Sequence, residues 1–103
     1  MSRVIEINNV QEHDSFIENN ARGVIFFGSV RCPHCRTMMP IYEKLANNYT
    51  TVAFSHVEVS KVEVADLNGV PVFVGYKDRV HVDSVMGASP ESLVVMIEQK
   101  LLA

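Results

Sequence analysis

Cysteine is nearly absent from this chain: two in 103 residues, too few for the multi-bridge framework that holds small secreted domains together. With four prolines and five glycines, disordered and collagen-like readings are excluded. There is no excess of positive charge either. Nine Lys/Arg stand against twelve Asp/Glu, a net charge of −3, so no large cationic surface is available to neutralise a phosphate backbone, and nucleic acid is not an expected partner. The longest apolar run, Gly23 to Gly28, is far short of the roughly 20 residues that span a bilayer. Met1 to Val10 has no apolar signal-peptide stretch, so no membrane association is expected and the expected address is the cytoplasm. What the chain does have is 48% apolar and 20% charged residues. At this length folding can bury about 65% of the unfolded surface around one core, and residues 1–103 read as a single domain.

The two cysteines are not scattered. They occur as Cys32-Pro33-His34-Cys35, a spacing that carries a redox reading. Before them, Val24-Ile25-Phe26-Phe27 is the continuous β-branched and aromatic run of a strand buried on both faces, and Gly28 to Arg31 reads as a loop. After them, Met38, Ile41 and Leu45 recur as the stripe of an amphipathic helix. Pro33 suits its first position, where a missing N–H costs nothing. Cys32 is thereby the N-cap. The free N–H groups of His34 and Cys35 point back at its sulfur, and the positive end of the helix dipole favours a thiolate, so its pKa is expected below the usual value of about 8.5. Cys35, one turn into the helix and shielded by the strand, is expected to keep its proton. One sulfur attacks and the other resolves.

The rest of the chain supplies a frame. Arg3 to Ile7 alternates as a strand. Asn9 and Glu12 form a capping box that opens a helix with Val10, Phe16 and Ile17 facing inward. Pro40 falls inside the cysteine helix, where it is expected to remove one hydrogen bond and kink the axis. Thr51 to Val59 is a second long strand, and Ser60 with Glu63 opens a short helix to about Leu67, closed by Asn68-Gly69. Val72 to Tyr76 and Val80 to Met86 flank the turn Lys77-Asp78-Arg79 as a hairpin, and Ser89-Pro90-Glu91 starts a last helix carrying Leu93, Ile97 and Leu101. The order βαβαβαββα predicts an α/β fold: a central mixed sheet of about five strands flanked by helices on both faces.

With Cys-Pro-His-Cys after the second strand and Gly69-Val70-Pro71 before the hairpin, this pattern resembles the thioredoxin family over essentially the whole chain. The resemblance implies the thioredoxin fold and a cis Val70–Pro71 peptide beside the cysteines. It also implies a substrate groove along Val70, Pro71, Met86 and Gly87, in which the backbone of Val70 pairs with an extended substrate segment. Three departures matter. Arg31 replaces the family's usual tryptophan, and Pro33-His34 replaces Gly-Pro, as in the oxidising DsbA-type enzymes. The family's buried carboxylate falls at Phe26 and its lysine partner at His56, so Cys35 is expected to lack an internal proton acceptor. The segment before Pro71 is short, which predicts a stunted third helix.

The expected chemistry is thiol–disulfide exchange: the Cys32 thiolate attacks a substrate disulfide, and Cys35 attacks the mixed disulfide and releases the product, or the cycle runs in reverse. No cofactor is required. The expected partners are disulfide-containing protein substrates and a dithiol donor or reductase. An imidazolium on His34 and the charges of Arg31 and Arg36 stabilise a thiolate and cannot stabilise a neutral disulfide. The potential is therefore expected between about −270 mV for thioredoxin and about −120 mV for DsbA. Two alternatives stand beside this reading. One is a dimer sharing two cysteine pairs around zinc or an iron–sulfur cluster; the other is a binding module of the same fold with little turnover.

Overall fold

In a computed structural model the backbone is described for residues 3–61 and 69–103. Its centre is β2 (Arg22–Gly28), in which every residue after Arg22 is buried. A strand apolar on both faces needs neighbours on both edges and cover on both sides. On one edge β2 pairs in parallel with β3 (Ala53–Glu58), and β3 in turn with β1 (Val4–Ile7). On the other edge it pairs antiparallel with β4 (Val72–Lys77), which continues into β5 (Val80–Met86). The result is a five-stranded mixed sheet in the order β1-β3-β2-β4-β5.

Alternation along β2 divides the core in two. Ile25 and Phe27 join Ile7, Val57, Val72 and Phe16 of helix α1 (Val10–Asn19) on one face. Val24 and Phe26 join Phe54 and Phe73 on the other, beneath helix α2 (Pro33–Asn48) and helix α3 (Pro90–Met96). Helices thus cover both faces, as expected. The last helix changes pitch after Met96 and runs on as a π-helical turn, Ile97–Leu101, keeping Leu93, Ile97 and Leu101 fully buried.

Local expectations fail in two places. Val10 does not face inward but is 53% exposed. The capping pair holds, with Asn9 Oδ1 accepting the Glu12 N–H at 2.8 Å and Glu12 accepting the Asn8 N–H at 2.8 Å, but this places Val10 on the first helical residue, before α1 reaches the sheet. In α2 the buried stripe is Cys35, Met38, Tyr42 and Ala46, with Ile41 and Leu45 only flanking it. Tyr42 displaces Ile41 because its hydroxyl has a place inside: it donates to the Ser55 carbonyl at 2.6 Å and lies 3.0 Å from the Val24 carbonyl. Of the helix expected from Ser60 to Leu67, Ser60 and Lys61 form a turn and residues 62–67 lie outside the described residues.

Candidate active site

The site forms where β2 ends and α2 begins. Gly28 closes the strand, and a Cβ there would stand 2.9 Å from the Phe26 ring and 3.4 Å from Cys35 Sγ; glycine lets the helix end come down onto the strand. The turn is held by the Cys32 N–H on the Ser29 carbonyl at 3.0 Å and by the Arg31 N–H on Ser29 Oγ at 3.2 Å. Cys32 then caps α2, with an extended backbone, Pro33 following as the first helical residue, and the Cys35 N–H donating to Cys32 Sγ at 3.2 Å. Both cysteines are free thiols; Cys32 is half-buried and Cys35 is buried.

The two sulfurs differ as their surroundings dictate. The Cys35 thiol, hydrogen-bonded to Cys32, is the largest influence holding the Cys32 pKa below its ordinary value, and the backbone N–H groups of Cys35 and His34 and the charge of Arg36 add to it against a partial desolvation. Burial pushes Cys35 the other way, up to about 11, with Cys32 and the negative charge of Glu58 adding and the Ser29 N–H opposing. The side chains of Arg31, Pro33 and His34 are exposed around the nucleophile. The His34 backbone N–H and the Arg36 guanidinium both act on the sulfur.

The hairpin supplies the opposite wall. The Val70–Pro71 peptide is cis, as the resemblance implies, and the Cys32 thiol donates to the Val70 carbonyl at 3.8 Å. Met86 stands opposite Val72 in the β4–β5 register. Gly87, at φ 89, donates its N–H to the Pro71 carbonyl at 2.9 Å; the positive φ suits glycine where the chain turns from β5 toward α3. The structure therefore links Cys32 to Val70, and Pro71 to Gly87, with Met86 the residue before Gly87; Val30 is 70% and Met86 65% exposed.

Phe26 and His56 stand in one row across the sheet, Glu6–His56–Phe26–Phe73, on registered positions. Phe26 is packed by Tyr42, His56 and Phe73 at ring separations of 5.1, 5.1 and 4.5 Å, and His56 Nδ1 lies 3.0 Å from the Glu6 carboxylate. Phe26 and His56 bring no carboxylate to Cys35, but Glu58, 7% exposed at the end of β3, makes its negative charge felt there. Sequence reasoning missed it. The one available signal was an acid flanked by Val57 and Val59 in a buried strand.

Two thiols held apart in pKa at a helix N-terminus, with an apolar-rimmed wall beside the accessible one, are the working parts of a thiol–disulfide oxidoreductase. Known proteins agree. The Thioredoxin family model matches residues 4–99. Thioredoxin-3 of Dictyostelium discoideum is 31% identical over 105 residues, taking in 98% of this chain and 100% of that one. Among solved structures, the thioredoxin of Plasmodium falciparum has a TM-score of 0.89 at 30% identity, covering 94% of this chain and 99% of that one. That of Schistosoma mansoni has a TM-score of 0.89 at 27% identity, covering 98% and 100%. The chain belongs to the thioredoxin family.

Proposed function

We propose that this protein reduces or exchanges disulfides of protein substrates through Cys32 and Cys35, at a potential more oxidising than that of a typical thioredoxin. The observation that carries the reading is the N-cap itself: a half-buried sulfur that accepts a backbone N–H at 3.2 Å and stands beside a buried second thiol. Cys32 attacks one sulfur of the substrate disulfide and the other leaves with the electron pair; Cys35 then attacks the Cys32 sulfur of the mixed disulfide, the bound substrate sulfur leaves as a thiolate, and the protein disulfide closes. His34 in the first turn, with Arg31 and Arg36 around it, stabilises the thiolate and so the reduced protein, which makes the oxidised protein the stronger oxidant. An extended substrate segment lies along Val70, Pro71, Met86 and Gly87 and pairs with the Val70 backbone. A dithiol donor or reductase in the cytoplasm restores the thiols.

Insulin reduction by dithiothreitol tests the activity: precipitation accelerated by the protein and abolished in Cys32→Ser supports it, and a rate no better than dithiothreitol alone removes it. Equilibration with glutathione tests the potential. A value above about −270 mV that falls in His34→Gly supports the tuning, and one at the thioredoxin value refutes it.

A further inference from the structure

The resolving step needs something the cysteine pair does not supply. Cys35 must lose a proton to attack, yet burial raises its pKa and holds that proton on the sulfur. A base beside it would remove this penalty.

Two ionisable groups make their charge felt at Cys35: Cys32 and Glu58. During resolution Cys32 is bonded to substrate and can take no proton. Of the other titratable groups on this face of the sheet, His56 faces Glu6, and Tyr42 is occupied with the Ser55 and Val24 carbonyls. Arg36 in α2 is exposed, as is Lys61 in the turn after β3.

Glu58 is built into the site. It stands opposite Gly28 in the parallel register, the residue over which Cys35 Sγ lies. Its Oε2 accepts the Val30 N–H at 2.9 Å, while the preceding N–H of the same turn, that of Ser29, serves Cys35. One turn therefore holds both the carboxylate and the thiol. The other carboxylate oxygen accepts from the exposed Ser60 hydroxyl at 3.1 Å, which gives a proton a way out. Among the described residues no cation pairs with this buried acid, an expensive arrangement for a group with no task.

We infer that the Glu58 carboxylate receives the proton that Cys35 gives up as it resolves the mixed disulfide. This rests on the exchange chemistry proposed above. The proton passes to Glu58 directly or across one water. The Cys35 sulfur forms its bond to the Cys32 sulfur, the bond from Cys32 to substrate breaks, and the electron pair leaves on the substrate sulfur. The two cysteines are oxidised, the substrate sulfur is reduced, and Glu58 returns its proton to solvent.

The experiment mixes the reduced protein with an aromatic disulfide, Ellman's reagent, in a stopped-flow instrument. Attack by Cys32 releases one coloured thiolate, and resolution by Cys35 releases the second. Absence of the second phase, or its persistence in Cys35→Ser, would remove the exchange chemistry itself, whatever Glu58 does. With that phase present, Glu58→Gln keeps an acceptor for the Val30 N–H but has no base. It should slow the second phase about 100-fold or more at neutral pH, make it rise tenfold per pH unit, and leave the first phase unchanged. Glu58→Asp should recover part of the loss. A second phase in Glu58→Gln as fast as in the unsubstituted protein overturns the inference. A faster one also overturns it, since it shows the carboxylate acting only as a charge that holds the proton on Cys35. Without any variant, the unsubstituted protein should show a second phase nearly level around neutrality, and a tenfold rise per pH unit there refutes the role.

Discussion

A cysteine is an unusual cap. Serine, threonine, aspartate and asparagine lead at this position because an oxygen accepts the orphan N–H groups well, and a neutral thiol is a weak acceptor by comparison. Cys32 meets the need of α2 better as a thiolate than as a thiol, so helix formation and ionisation favour each other, and Arg36 adds a charge of the right sign. In a Cys35→Ser protein, the rate of Cys32 alkylation by iodoacetamide should therefore reach half its maximum below pH ~8.5, and Arg36→Ala should move that midpoint upward. A midpoint at or above the free-thiol value, or one indifferent to Arg36, contradicts the account. The cap was legible because Cys32-Pro33 followed a buried run. Glu58 was not, because strand alternation puts it on the face of Phe54 and His56 without saying what covers that end of β3. The cover is the turn from Gly28 to Val30, a contact between residues about 28 apart in sequence.

At the scale of elements, legibility followed periodicity. Leu93, Ile97 and Leu101 are all buried as their spacing predicts, even though the helix slips into π pitch among them. In α2 two apolar stripes were available, and the choice fell on Tyr42 rather than Ile41 because of carbonyls in the sheet, which no local pattern shows. The hairpin was legible as a turn but not as a turn type. Its two central residues, Asp78 and Arg79, have φ of 53° and 69°, and β4 and β5 pair from Lys77↔Val80 outward, with a register shift at Gly75/Tyr76. That is a two-residue turn needing positive φ twice, a conformation that suits Asp-Gly and costs an arginine about 1 kcal/mol. Arg79→Gly should raise stability by about 0.5 kcal/mol once the greater freedom of glycine in the unfolded chain is deducted, and Tm by about 3 °C. The turn adjoins Ala21, at the start of β2, and the cysteines follow its other end. Insulin reduction by the variant should therefore be unchanged, and a fall in either Tm or activity would contradict this.

For the whole molecule, the opposed shifts of the two sulfurs become a dependence of stability on pH that only the reduced protein has. Cys32 titrates lower folded than unfolded. The stabilisation its thiolate gives is absent at low pH, grows as pH rises through the folded pKa, and is complete above the unfolded value of 9.0. Cys35 titrates higher folded than unfolded, so unfolding releases its proton more readily. Its contribution is level below 9.0 and declines as pH climbs to about 11. Tyr42 and Tyr76, both raised by burial, weaken the fold at high pH as well, but they do so in the oxidised protein too. Subtracting the unfolding free energy of the oxidised form from that of the reduced form cancels them and leaves the sulfurs alone, apart from a pH-independent offset for the bridge in the unfolded chain. The difference should rise toward pH ~9 and fall beyond it. Since that difference is linked to the disulfide's own equilibrium, the measured potential, corrected for the protons that a dithiol couple takes up, should pass through the same maximum. Urea unfolding of both forms across this range checks it. A difference that only falls with rising pH would mean Cys32 gains nothing from its place at the helix, and one that only rises would mean Cys35 is not held protonated by the core.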